Sequence, residues 1–330
     1  MGGFVPINIL TEAELRQCIA LDGEVVDAIA EGFTALASGR VVMPPILHMS
    51  IVEANGEVDV KTAYVPGLDS FAIKVSPGFF DNPKLGLPSV SGMMMLLSAR
   101  TGRPVALHLD NGYLTDIRTA AAGAVAARYL APKNARIAGV IGAGIQARLQ
   151  LEALKLVRPI ERALVWARDP AKAEAYADEI GAKLEIEIVP VSSVERLVLE
   201  SDVVVTTTPA RDPLIVADWL HPGLHVTAMG SDAPDKNELH PEVLARGDLM
   251  VVDSRAQSAR LGELHHALDH GIDVPVTELG EITGGGKPGR ERDDQITVCD
   301  LTGTGMQDTV IARLAFEKAT RGGLGSVIDA

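Results

Sequence analysis

The sequence predicts an α/β fold in two parts: a doubly wound parallel sheet of the Rossmann kind, and an α+β part built on a mainly antiparallel sheet. Three observations carry this. At residues 136–150, RIAGVIGAGIQARLQ, an apolar run breaks into glycines and resumes with helical spacing, which reads as strand, tight turn, helix. From Ile137 onward short apolar runs alternate with helical patterns, as in a parallel sheet covered on both faces. Before about Thr115 alternating runs are instead joined by turns such as Asn55, Gly56 and Pro66, Gly67, which favour antiparallel pairing. A chain of 330 residues has room for two domains. The expected division is 1–118 plus 306–330 for the substrate-binding part and 119–305 for the dinucleotide-binding part.

In order, Thr11 to Glu14 form a capping-box pattern that opens an amphipathic helix to about Ser38, irregular near Asp22 and Gly23. Residues 58–64 and 71–75 read as strands, as do 92–98 and 105–109 around a turn at 100–103. Residues 119–130 are alanine-rich and helical. Strands at 137–141, 163–167, 186–189 and 203–207 then alternate with helices at 148–156, 171–180 and 194–199. Further strands are expected at 224–229 and 249–252, and helices at 241–244 and 263–270. The run GGGKPG at 284–289 is a loop, and 306–319 is a last helix, long enough to return to the first part.

Composition narrows the function classes. A formal charge of −14 argues against nucleic-acid or anionic-membrane partners. The two cysteines, Cys18 and Cys299, lie far apart and read as buried thiols in a reducing compartment. No histidine pair has metal-ligand spacing, and no serine nucleophile elbow occurs. Without a basic-then-apolar leader or an apolar run of about twenty residues, the expectation is a cytoplasmic protein.

The candidate chemistry begins at the glycine turn. Gly142, Gly144 and Ala147 fit the fingerprint in which the first glycine allows the turn, the second lets backbone approach a pyrophosphate, and the third small residue packs helix on strand. Ile145 and Gln146 lie at the helix N-terminus, where free amides favour phosphate. At the tip of the next strand stand Ala167, Arg168 and Asp169. Arg168 suits a ribose 2′-phosphate, and Asp169 either reaches the ribose or caps the next helix, so the cofactor reading is NAD(P)(H), leaning to NADP(H). Lys61 and Lys74, on extended apolar runs, are either solvent-facing strand residues or a cationic pocket for a carboxylate, with Lys74 the better placed. Arg118 falls where the two parts of the chain meet, either as a bidentate clamp on a carboxylate or pyrophosphate or as a surface ion-pair partner. Asp232, just past an apolar strand, is either a turn residue or a general acid/base near a nicotinamide.

Taken together, FAIKV at 71–75, LTDIRTAA at 114–121, GAGIQA at 142–147, residues 204–209, GSDAPDKNE at 230–238 and LTG at 301–303 before Gln307 and Asp308 resemble the ornithine cyclodeaminase/mu-crystallin family across essentially the whole chain. Within that family, residues 58–101 look closest to the ectoine-utilisation proteins, EutC. The resemblance implies that Lys74 and Arg118 hold an amino- or imino-acid carboxylate and that Asp232 is the acid/base. It places Ser89, Thr119, Gly142, Gly144, Gln146, Thr206, Lys236 and Thr302 along the cofactor, with a homodimer built through the first part. One departure stands near Pro45, where many relatives carry an arginine as a carboxylate ligand: here the residues are Ile46, Leu47 and His48, which makes His48 a candidate substitute. A second is the acidic residue that receives the substrate's distal amine in the cyclodeaminase, a region that here offers both Asp59 and Lys61. If Lys61 faces the pocket, an anionic distal group is favoured. The expected activity is that of an NAD(P)H-dependent imine reductase or amino-acid dehydrogenase on a small 2-imino or 2-amino acid, in ectoine or hydroxyectoine breakdown. The alternatives are ornithine cyclodeaminase and a non-catalytic, crystallin-like binding protein.

Overall fold

The computed structural model describes residues 6–329. The chain divides into two compact units, Met1–Ala20 with Ser38–Arg118 and Thr304–Ala330, and Leu21–Ala37 with Thr119–Gly303. The fold class is the one expected: an α/β chain with one parallel and one mainly antiparallel sheet.

In the first unit the strands are β1 (Pro6–Thr11), β2 (Leu47–Ile51), β3 (Gly56–Ala63), β4 (Ser70–Phe79), β5 (Met93–Ser98) and β6 (Pro104–Leu109). With the C-terminal strand Ser326–Asp329 they form a seven-stranded sheet in which β1 lies between Ser326–Asp329 and β6, followed by β5, β4, β3 and, at the edge, β2. All pairings are antiparallel except β1 with β6. The hairpin between β2 and β3 forms, but through a four-residue loop, 52–55: Asn55 closes it in a left-handed conformation (φ 46°), and Gly56 is already paired with Ile51. The helix Gly305–Arg321, with Met306, Ile311, Ala312 and Ala315 buried, packs on β3, β4 and β5, where Ala63, Ala72, Met94 and Leu96 are buried.

The N-terminal helical stretch is two helices, Glu12–Cys18 and Gly23–Ala37, rather than one running to Ser38. The chain goes extended at Ile19, and the Asp22 carboxylate then accepts the Val25 N–H to start the second helix. That second helix belongs to the parallel-sheet unit, so residues 1–118 are not one continuous block. Gly280 explains why: a Cβ there would lie 2.0 Å from the Phe33 carbonyl, so only glycine permits this close packing.

In the second unit β7 (Ile137–Ile141), β8 (Arg162–Trp166), β9 (Glu187–Pro190), β10 (Val203–Thr206), β11 (His225–Ala228), β12 (Leu249–Val252), β13 (Val276–Glu278) and β14 (Thr297–Asp300) form a parallel sheet. Its order is β13, β12, β14, β11, β10, β7, β8, β9, so the direction of winding reverses between β7 and β10. Such a reversal opens a crevice beyond the carboxyl ends of the strands, where ligands of open α/β sheets bind. Two buried clusters cover the sheet, one including Leu164, Val204, Val226 and Val298, the other Val140, Leu151, Val165 and Tyr176.

Candidate active site

The site residues fall into two groups, one in each unit. In the first unit the antiparallel register sets a row across the sheet: Lys61 is opposite Lys74, Lys74 opposite Met94, and Met94 opposite His108. Opposite residues of antiparallel strands share a face, so Lys61 and Lys74 point the same way. Period two puts Asp59 on that face as well. The choice between Asp59 and Lys61 is therefore not one of facing. Asp59 is taken up by the edge strand, its Oδ1 accepting from His48 Nδ1 at 2.8 Å, while His48 Nε2 meets Ser50 Oγ at 3.1 Å. Lys61 is 8% exposed and Lys74 2%.

The counter-charge comes from the helix Gly305–Arg321. Its N-terminus approaches β3 so closely that a Cβ on Gly305 would lie 2.3 Å from the Thr62 carbonyl. A capping box between Thr304 and Gln307 sets the helix start, and Thr309 is pinned by its hydroxyl, which donates to the Ala63 carbonyl at 2.8 Å and accepts the Ala72 N–H at 3.0 Å. Asp308, fully buried, is thereby placed at the row. Its Oδ1 accepts from Lys74 Nζ at 3.1 Å and from Arg118 Nε at 3.0 Å, while Oδ2 has no protein partner.

Arg118 is not just before its helix, as expected, but inside it. The helix runs Tyr113–Leu130, starting six residues early because the buried Asp110 carboxylate caps it through the Leu114 N–H at 2.9 Å. Burial, then the Arg118 charge, pulls the Lys74 ammonium down to about 7, against the attraction of Asp308. Burial pushes the Asp308 carboxyl up, but Lys74, Arg118 and Lys61 outweigh it and hold the group below its usual range. Asp110 stays above its usual range, because burial exceeds the help of its hydrogen bonds and of Lys74. His108, with no partner for either ring nitrogen, is pushed by burial to about 4 and is neutral at pH 7.

In the second unit the glycine turn has the geometry of a dinucleotide cradle. Gly142 takes φ 120°, and a Cβ there would meet the Thr207 hydroxyl at 2.4 Å. Gly144 caps the helix Ile145–Val157 with no side-chain bond to its first amides and with open space where a Cβ would project. Ile145 is exposed, Gln146 partly so, and Ala147 is buried against the sheet, its carbonyl accepting the Tyr176 hydroxyl. The residues present therefore fit a pyrophosphate at this helix N-terminus. Arg168 is exposed just past β8, while the Asp169 carboxylate accepts the Ala171 N–H and so acts as the cap of Pro170–Leu184.

The remaining predicted residues are placed as follows. Thr119, partly buried, gives its carbonyl to Gln150 Nε2. Thr206 is buried and turns its hydroxyl inward, to Glu238. Asp232 is half-exposed beyond β11, with its Oδ1 accepting from Lys236 Nζ at 2.6 Å, so the two are joined. Thr302 is buried under Asp253, which accepts its N–H at 2.8 Å and its hydroxyl at 2.9 Å. Ser89 lies in the first unit, its carbonyl accepting the Phe79 N–H.

Sequence reasoning assigned no role to Asp308, His108, Glu238 or Glu263. An aspartate in the first turn of a mostly apolar helix was the available signal for Asp308. Among the described residues no group of three or more His, Cys, Asp or Glu is arranged to hold a metal ion, and no helix is long and apolar enough to cross a membrane.

A parallel sheet with this winding reversal and a glycine turn at a bare helix N-terminus defines a Rossmann-type protein, here paired with a buried cationic cluster on a second, antiparallel sheet. The chain belongs to the ornithine cyclodeaminase/mu-crystallin family, whose sequence model matches residues 7–323. It is 55% identical over 98% of its length, and 99% of the relative's, to an uncharacterized cyclodeaminase, y4tK, of Sinorhizobium fredii. Among solved structures it is similar to the Thermococcus litoralis Δ1-pyrroline-2-carboxylate reductase in complex with NADH and L-proline (34% identity, TM-score 0.90, covering 97% of this chain and 99% of that one). It is also similar to an archaeal alanine dehydrogenase dimer with bound NAD (34% identity, TM-score 0.91, covering 98% and 99%).

Proposed function

We propose that this protein is an NAD(P)H-dependent imine reductase or amino-acid dehydrogenase acting on a small 2-imino or 2-amino acid. The observation that carries the reading is the charge balance of the buried row, where two cations, Lys74 and Arg118, share one carboxylate, Asp308. Cations taken out of water are costly unless compensated, and a substrate carboxylate completes the balance that Asp308 begins. Lys74 and Arg118 grip that carboxylate. Lys61, on the same face, favours a substrate whose distal end is neutral or anionic. When bound at the glycine turn, a nicotinamide cofactor would bring hydride-transfer chemistry to the substrate α-carbon. Asp232 carries the proton to or from the substrate nitrogen, with Lys236 holding its carboxylate ready.

The NADP(H) preference is supported by Arg168 and by Asp169, which is engaged as a helix cap. Against it stand the two solved relatives, which hold NAD or NADH. A place in ectoine or hydroxyectoine breakdown, with an imine from diaminobutyrate or aspartate as substrate, is supported by the resemblance of residues 58–101 to EutC proteins. Homodimer formation through the antiparallel unit is supported by the alanine dehydrogenase dimer and by the exposed apolar side chains along β2.

A cyclodeaminase reading is favoured by the name of the Sinorhizobium relative. Stoichiometry separates the two, since a lyase releases ammonia without net cofactor turnover. The test is NADH and NADPH oxidation with ammonia over a panel of 2-oxo acids, run beside proline formation from ornithine. The expected result is net oxidation with one of the oxo acids, with NADPH preferred and the preference reduced about tenfold or more in Arg168→Ala, the worth of one charged hydrogen bond. Proline formation without net oxidation establishes the lyase, and turnover of nothing leaves a binding protein.

A further inference from the structure

The carboxyl ends of β10 and β11 are tied together by one buried side chain, Glu238. Its Oε2 accepts from the Thr206 hydroxyl at 2.6 Å and from the Gly230 N–H at 2.8 Å. Its Oε1 accepts from the Thr208 N–H at 2.6 Å and from the Thr208 hydroxyl at 2.7 Å. The packing admits nothing larger than glycine at position 230, where a Cβ would lie 2.6 Å from the Glu238 carboxyl and 2.1 Å from the Thr208 carbonyl. A second buried carboxylate holds the first in place. Glu263 accepts the N–H groups of Glu238 and Leu239, both at 2.9 Å, the Asn237 side-chain amide at 2.7 Å, and the Ser231 hydroxyl.

Among the described residues neither glutamate forms an ion pair with a lysine or arginine; hydrogen bonds are their main compensation, with His266 adding to that of Glu263. Burying two carboxylates this way is a poor route to stability, because apolar residues of similar size are usually as good or better. What the arrangement does supply is geometry. The groups it clamps are on Thr206, Thr208, Gly230 and Ser231, and the next residue is Asp232.

We infer that Glu238 is a positioning residue of the active site, holding Thr206, Thr208 and Gly230 in one arrangement so that Asp232, two residues on, is presented in a single orientation. The inference rests on the acid/base reading of Asp232. Burial raises the Glu238 carboxyl to about 7, with its donors pulling the other way and the Glu263 charge adding to the rise. The tie is therefore ionised, and at full strength, above neutral pH.

Glu238→Gln tests it. Either orientation of the new amide sets its NH2 against a backbone N–H, of Thr208 or of Gly230, so one clamp must open. Expected are hydrogen exchange at the Thr208 or the Gly230 amide faster by about tenfold, and kcat lower by about tenfold or more with KM changed much less. The pH profile of kcat should lose an ionisation near neutrality, and Glu238→Asp should restore part of kcat. Unchanged exchange at both amides overturns the inference whether or not a substrate has been found. Faster exchange with wild-type kcat and pH profile also overturns it, since the tie would then be structural only. If the wild-type protein turns over none of the candidate substrates while either amide still loosens in Glu238→Gln, the acid/base reading of Asp232 falls and the clamp itself stands.

Discussion

Asp232 and Lys74 differ in what surrounds them, and their variants should fail differently. Asp232 is half-exposed and joined to Lys236, so Asp232→Asn keeps size and hydrogen-bonding capacity and removes the base. The expected result is normal cofactor binding with turnover reduced about 10²-fold, the usual worth of a general acid/base. Lys74 is buried and bound to Asp308, so Lys74→Met removes a grip on the carboxylate and should raise KM more than it lowers kcat. Steady-state kinetics on the substrate found by the panel checks both, and near-normal kcat in Asp232→Asn removes that residue from the mechanism. Lys74 also sets a pH dependence. Its ammonium, lowered to about 7, is charged below that pH and neutral above it. A bound carboxylate favours the charged form, so binding takes up a proton above pH 7. The dissociation constant of a carboxylate ligand, measured by calorimetry, should therefore rise about tenfold between pH 7 and pH 9, and a flat profile would show that Lys74 does not titrate in this range.

At the scale of elements, the proposed carboxylate grip depends on how closely one helix end approaches one strand. Gly305 starts the helix Gly305–Arg321 against the backbone of Thr62, and Asp308 follows one turn later. Gly305→Ala puts a methyl into backbone that cannot rotate away, so the helix end must lift off β3. Overpacking of this kind costs about 1–3 kcal/mol. The expected outcome is a matching loss in urea denaturation together with weaker binding of carboxylate ligands and unimpaired cofactor binding. Wild-type stability would show that the helix end has slack that the structure does not suggest. The glycine turn shows the opposite situation, in which the local pattern is sufficient: Gly142 and Gly144 meet needs of the turn itself, and those are visible in a few consecutive residues.

For the whole molecule, the antiparallel sheet ends on β2, an edge strand whose Leu47 and Met49 are exposed, with Val52 beyond it 80% exposed. Exposed edges with apolar side chains are normally blunted or covered, and a second copy is the cover proposed above. Light scattering should give twice the chain mass, and Leu47→Lys with Val52→Lys should give the monomer. A monomeric wild type would refute the dimer.

The fold class, the glycine turn between β7 and its helix and the extended run carrying Lys74 were readable from the chain because each is a local matter, set by period, turn chemistry and apolar run over about ten residues. The short strands β1, β13, β14 and Ser326–Asp329 were not, because each is only three to six residues long and is stabilised by partners distant in sequence. The same holds for the site. That Lys61 stands opposite Lys74, that Asp308 answers both Lys74 and Arg118 from some 190 to 234 residues away, and that Glu238 binds two strand ends were decided by tertiary structure. A buried charge selects its partner by distance in space, and sequence spacing carries no record of that distance.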